Sequence, residues 1–336
     1  MKKNLHIFFL AAFPAIAAAQ DIHFSQYEAS PLNLNPAQAG NFSGDYRFTA
    51  NHRSQWGSVT IPFRTFSGAY DMSFRKKSNG WFGAGILLNS DRAGDSRMGI
   101  LQGNIVLSYT SKLNRDSTLF LSFGMSAGMA QRSVDYSRLT FDEQFDGQAY
   151  NPALNNWQNL GNISFTFFDC AAGMNWHYRS PGRFRINAGT AFSHLNTPSQ
   201  AFLAASASRL PLKTAIYAIP EIKITSEFDL IPSMLYQRQS SFSELCGGVT
   251  GRYILRSQSG YTSALYLGVS LRKSDALVFL AAMDYRDFRA GFSYDVNTSG
   301  LRPASNGWGG FEFSCAYIIR KFIPLKVIRK VCPVYL

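Results

Sequence analysis

From Asp45 onward the chain alternates apolar with polar or small residues, segment after segment. In 64–75 the even positions are Phe66, Gly68, Tyr70, Met72 and Phe74, and the odd ones Thr65, Ser67, Ala69, Asp71, Ser73 and Arg75. In 118–129 the odd set is Leu119, Leu121, Phe123, Met125, Ala127 and Met129, against mostly Ser, Thr and Gly. Segment 261–271 repeats the pattern with Tyr261, Ser263, Leu265, Leu267, Val269 and Leu271. Strand side chains point to opposite faces with period two, so each segment predicts a strand with one apolar face and one polar or small face.

The pattern predicts strands near 45–54, 65–75, 81–89, 98–111, 118–130, 163–178, 183–194, 213–224, 230–238, 244–255, 261–272, 276–284, 288–294 and 308–320. Their number, about fourteen, is even, as in single-chain bacterial barrels. The connections alternate between short ones (76–79, 112–117, 179–182, 225–229, 256–260) and longer ones, notably 131–160 and 195–212. Long outer loops and short inner turns are the expected arrangement when both termini face the periplasm. Aromatic residues recur near the ends of the apolar face, as Tyr109, Trp176, Tyr178, Tyr261, Tyr294 and Tyr317, where amphipathic rings favour a membrane interface.

Composition narrows the fold. The 336 residues are 46% hydrophobic and 15% aromatic but only 16% charged, below the roughly 25% of an average soluble domain. Beyond the first nineteen residues, no run reaches the roughly 18 apolar residues a membrane-spanning helix needs. The expected fold is therefore all-β, a transmembrane antiparallel β-barrel over 45–320, with lipid outside and a polar lumen. A large secreted β-sandwich shares the alternation but usually carries more charge.

Residues 1–19 have the form of an export signal: basic Lys2 and Lys3, apolar Leu5 to Ile16, then Ala17-Ala18-Ala19 before Gln20. No Cys lies nearby, which argues against a lipid anchor. Residues 20–44 then follow neither period and are rich in Asn, Pro and Ser. Irregular backbone at membrane depth is tolerated only inside protein or a wet cavity. This leader is expected either to plug the barrel from its periplasmic mouth or to act as a periplasmic tether.

The remaining features exclude more than they assign. Register puts Cys170 and Cys315 on the apolar face and Cys246 on the polar face, leaving Cys246–Cys332 as the one pairing geometry allows. His and Cys are scattered without metal-ligand spacing, and no Ser/His/Asp grouping stands out, so no cofactor, metal or catalytic activity is expected. The net charge of +12, or +10 without Lys2 and Lys3, is partly carried by the tail 321–336 and by Arg320 just before it. In an exported barrel this basic tail fits anionic headgroups or an acidic protein surface better than nucleic acid. Asp142, Glu143 and Asp146 lack EF-hand spacing, so their loop is expected to make outer-surface contacts. A diffusion channel for small solutes is the alternative, using lumen-facing Asp71, Arg75, Asn104, Arg185, Arg252 and Arg289.

These residues carry a resemblance. The leader "QDIHFSQYEASPLNLNPAQAG" with "RFTANHRSQW" resembles the start of PorP/SprF-type outer-membrane proteins of the type IX secretion system. In order down the chain follow "FDEQFDG" (141–147), "FSHLNTP" (192–198), "IPSMLYQRQ" (231–239), "GFSYDVNTSGL" (291–301), "NGWGGFEFSCAY" (306–317) and "CPVYL" (332–336). Val334 stands where the usual tail has a basic residue after Cys-Pro. The resemblance implies a non-catalytic fourteen-stranded barrel of the bacterial outer membrane. It further implies export or surface anchoring of secreted, adhesin-like proteins through their C-terminal domain, and contact with secretion or gliding components in the periplasm. Partner contacts are then expected at Asp142, Glu143 and Asp146 in one outer loop, and at His194 and Asn196 in the "FSHLNTP" stretch.

Overall fold

The computed structural model describes residues 21–55, 57, 61–75, 79–94, 97–135, 142–151, 154, 162–200, 208–258, 261–300 and 302–320. The expected export signal, Gln20, the tail with Cys332 and parts of the two long outer loops lie outside them.

Fourteen antiparallel strands form one closed barrel: β1 (Tyr46–Gln55), β2 (Phe63–Arg75), β3 (Gly80–Ala93), β4 (Met98–Lys112), β5 (Leu119–Asp135), β6 (Asn162–Arg179), β7 (Phe184–Ser193), β8 (Lys213–Lys223), β9 (Phe228–Gln239), β10 (Phe242–Gln258), β11 (Tyr261–Arg272), β12 (Ala276–Tyr285), β13 (Phe288–Asn297) and β14 (Trp308–Ile319). Each strand pairs with its sequence neighbours, and β1 closes on β14 from Tyr46↔Ile319 to Gln55↔Gly310. Closure removes the two free edges that an open sheet would expose to hydrocarbon. No described helix is long and apolar enough to cross a membrane.

The alternation sorts the side chains inside-out. Leu267, on the outer face, is 72% exposed, whereas Arg53, on the inner face, is 1% exposed. Phe66, Phe82, Ile105, Met125 and Phe313 also face outward, consistent with contact to hydrocarbon rather than water. Asp71 and Asn104 are buried on the inner side. The cysteines follow their register: Cys170 and Cys315 are partly exposed, and Cys246 is buried.

The inner wall departs from a uniformly polar lining. Ala191, Ala215, Tyr217, Ile219, Ile231, Leu235, Cys246, Ala264 and Tyr266 form a buried apolar cluster on β7–β11, joined by Tyr27 and Leu34 of the leader. A second cluster sets Leu32 and Ala39 against Leu87 of β3 and Val106 of β4. Apolar inward residues are tolerated here because they meet other side chains instead of lumen water.

Candidate functional site: the filled lumen and its two mouths

The leader is built from short turns set by its own sequence. A 3-10 turn at Tyr27–Ala29 precedes the single-turn helix α1 (Pro31–Leu34), and a second 3-10 turn follows at Pro36–Gln38. Proline opens both of the latter, where its fixed φ favours a helical start and its missing N–H leaves nothing unsatisfied. Asn35 caps the last turn by accepting the Ala37 N–H at 2.8 Å. Its amide also donates to the carbonyls of Met174 (2.9 Å) and Thr190 (3.1 Å) and to the Tyr217 hydroxyl (3.2 Å). One fully buried side chain thus ties the leader to β6, β7 and β8.

From Asp45, whose N–H bonds the Ile319 carbonyl at 2.9 Å, the leader runs back through the lumen. Arg47 grips Asp71 through two nitrogens (2.9 and 2.8 Å) and also donates to the Gln38 carbonyl. Gly40, at φ +66°, donates its N–H to Asp71, and its carbonyl accepts from the Trp81 indole N–H. Two wall glycines make room for this close approach. A Cβ on Gly83 would strike the Ala39 carbonyl, and one on Gly124 would strike the Pro36–Ala37 backbone.

Further up, a buried ionic cluster holds the leader to β1, β11, β13 and β14. Glu312 accepts the N–H groups of Ser25 (2.7 Å) and Gln26 (3.1 Å). Asp295 accepts from the Ser25 hydroxyl and from Arg53 (2.8 Å) and Arg272 (3.2 Å). Arg53 also donates to the His23 carbonyl at 2.8 Å. Arg53, Arg272, Asp295 and Glu312 are each at most 4% exposed, so every charge depends on a partner within the cluster.

The leader's far end lies at the outer mouth. His194 follows the last residue of β7, at φ +59°, and turns its ring inward. Its Nδ1 lies 3.0 Å from both Asp169 oxygens and its Nε2 3.3 Å from Asp21. Lys213 donates to the same Asp21 carboxylate at 3.1 Å, and Gln102 donates to Asp169. Burial alone would raise Asp21, but Lys213 and His194 hold its carboxyl far below the carboxylate range. Burial opposes charge on His194, yet Asp21 and Asp169 outweigh it and lift the imidazole to about 9.

A raised imidazole pKa makes this latch strongest below pH ~6.5 and weakens it as pH rises through about 9. We expect amide exchange at residues 21–24 to accelerate between pH 6.5 and 9.5, beyond the intrinsic rate. In His194→Gln this added pH dependence should vanish. Equal pH profiles for the two proteins would contradict the assignment.

At the periplasmic end the lumen opens into a vestibule of about 480 Å3. Glu28 reaches it from the leader, and the turns at 182–183 and 286–287 form its rim. Deeper in, Arg252 pairs with Asp229 (2.8 Å) and Glu221 (3.1 Å), while Arg289 pairs with Asp284 and the Tyr266 hydroxyl. Arg183, Lys223 and Arg286 add positive charge.

The expected contact residues fall into three settings. Asp142 and Glu143 lie exposed in a short 3-10 turn of the β5–β6 loop. Asp146 accepts the N–H groups of Ala149 (2.8 Å) and Gln148 (2.9 Å), which hold its carboxyl below the usual range. The same loop exposes Phe145, Tyr150 and Leu154. His194 belongs to the buried latch, and Asn196 donates to the Phe168 carbonyl at 2.6 Å. Asp21, Asn35, Arg53, Asp169, Lys213, Asp295 and Glu312 were not singled out by the sequence. The strand members among them sit at inward positions of the alternation, but most of their partners lie in the leader or on non-adjacent strands.

A family model described as "Type IX secretion system membrane protein PorP/SprF" matches residues 16–317. The chain belongs to this family. Among solved structures, it is similar to the toluene transporter TbuX of Ralstonia pickettii, with a TM-score of 0.52 and 12% identity over 88% of this chain and 94% of that one. It is likewise similar to the toluene transporter TodX of P. putida, with a TM-score of 0.52 and 8% identity over 86% and 93% of the two chains. At these identities the likeness is one of fold. No curated protein matches the sequence. Family and barrel together place this PorP/SprF protein in the bacterial outer membrane.

Proposed function

We propose that this PorP/SprF protein binds secreted, adhesin-like proteins at the outer face and helps export or anchor them through their C-terminal domain. The observation that carries this reading is the leader seated in the lumen. It occupies the route a small solute would take, which leaves the outer loops as the working surface. Exposed Phe145, Tyr150 and Leu154 beside exposed Asp142 and Glu143 supply the mixture of apolar anchors and polar rim that a protein interface uses. The charged periplasmic vestibule is the matching surface for other secretion or gliding components. In this reading the barrel performs no chemistry of its own.

Replacing residues 142–154 with a short Gly-Ser linker tests the assignment. Retention of secreted protein at the cell surface should be lost, while the heat-modifiable mobility of a folded barrel persists. Unchanged retention would overturn it. A diffusion channel is the second reading, and the vestibule of about 480 Å3 is the observation in its favour. Steady conductance by the intact protein would favour the channel.

A further inference from the structure

β5 and β6 stand taller than their neighbours. β5 pairs with β6 along its whole length, from Asp135↔Asn162 to Leu119↔Tyr178. β6 pairs with β7 only from Ala172 to Arg179. Among the described residues, no strand pairs with 162–171 of β6 on the side away from β5, a stretch of about 33 Å at ~3.3 Å per residue. The cause lies in the sequence just after β7. His194 (φ +59°) and Thr197 (φ +40°), followed by Pro198, turn the chain off the strand line. A β-branched residue at positive φ is strained, and such strain concentrates at functional positions.

The described residues of the loop bond the foot of this edge. Leu195 donates its N–H to the Cys170 carbonyl (3.0 Å), and Asn196 donates to the Phe168 carbonyl. These bonds show that residues 168 and 170 direct their backbone groups away from β5. By strand alternation Ser164 and Thr166 do the same. Among the described residues nothing bonds the Ser164 and Thr166 backbone groups on that side. About 20 Å of edge remains, the length of an ordinary strand.

The surroundings specify what fits there. Outward side chains change from apolar to polar at one level, from the pair Met129↔Phe168 to the pair Gln131↔Thr166. The open part of the edge therefore stands above the hydrocarbon, on the cell exterior. Its inner face carries Phe165 and Phe167, which pack with Ala130 and Leu210 over the outer mouth. The stretch 162–168 has no charge and no proline, and no bulge breaks its register with β5. Native edges are usually blunted by such devices. Two copies in one membrane stand the same way up, so their β6 edges could meet only in parallel, the weaker pairing.

We propose that the outer edge of β6, residues 162–168, binds an extended segment of a secreted polypeptide by strand addition. The segment is antiparallel to β6, with apolar residues at alternate positions to extend the Phe165–Phe167–Leu210 cluster and polar residues between them facing water. Main-chain hydrogen bonds supply binding, and the alternation supplies register. This inference rests on the reading that secreted protein is held at the outer face.

The test uses the full chain in its native outer membrane. A photoreactive residue at position 166 should crosslink to a single stretch of a secreted polypeptide, mapped by mass spectrometry, and one at position 267 on the lipid face should not. Thr166→Pro removes the edge N–H and should cut retention at least about tenfold, while Thr166→Val should retain as wild type. Retention by Thr166→Pro equal to wild type, or adducts only with a second copy, would overturn the edge and leave the functional reading standing. If the wild-type protein holds no secreted polypeptide, both fall.

Discussion

Removing residues 21–44 should turn a poorly conducting barrel into a conducting one. The leader contributes Phe24, Tyr27, Leu32, Leu34, Ala37 and Ala39 to the buried interior, and its polar groups engage nearly every sector of the wall. Without it, those wall positions face water, as in a porin. Arg53, Arg272, Asp295 and Glu312 then become hydrated instead of orphaned, so the barrel should still assemble. We expect single-channel conductance in planar bilayers to rise at least about tenfold over the intact protein. Equal conductance before and after deletion would mean that the leader does not close the lumen.

The second large effect should come from Arg53→Met. Arg53 is 1% exposed, pairs with Asp295 at 2.8 Å and donates to the His23 carbonyl. A methionine of similar length fills the space but leaves Asp295 one cation, Arg272, beside the Ser25 hydroxyl, and frees one leader carbonyl. Removing one partner of an isolated buried pair costs about 3–5 kcal/mol; Arg272 and the Ser25 hydroxyl still compensate Asp295, so the loss should fall below that figure. The heat-modifiability midpoint should fall, and the leader should become accessible to protease while the barrel strands stay protected. Adding Asp295→Asn should return part of the loss, which a double-mutant cycle measures. Additive losses would show that the pair is not coupled.

The barrel was legible because lipid on one side and the lumen on the other impose a strict period of two. Phe66, Leu121, Leu267 and their neighbours marked the strands, and the facing of all three described cysteines followed from the same count. The upper parts of β5 and β6 show where the signal fades. β5 runs to Asp135, past the expected end at 130, because above the hydrocarbon Gln131 and Ser133 replace apolar outward residues. The outer loops between β9 and β10 and between β11 and β12 are only two and three residues long, departing from the alternation of long and short connections.

The site was less legible, for a physical reason. The alternation assigns an inward face but not which inward residues meet across the lumen. Asn35 bonds residues 139 to 182 positions away, and Ser25 reaches Glu312 across 287. A leader without period gives no register against which to align such partners. His194 illustrates the limit: its stretch reads as outer-loop chemistry, yet a positive φ turns the ring toward Asp169 and Asp21. The apolar inner patch of Tyr217, Ile219 and Leu235 was hidden for the same reason, since only the leader's Tyr27 and Leu34 account for it.

The central claim is that this barrel is a holder of secreted protein at the outer surface. A tag inserted at Gly300, where the β13–β14 loop leaves open space, allows the protein to be isolated from native outer membrane in mild detergent. The account predicts that a large secreted polypeptide comes with it, bound through its C-terminal domain. A solitary barrel, from membranes whose other complexes survive the same extraction, would contradict it.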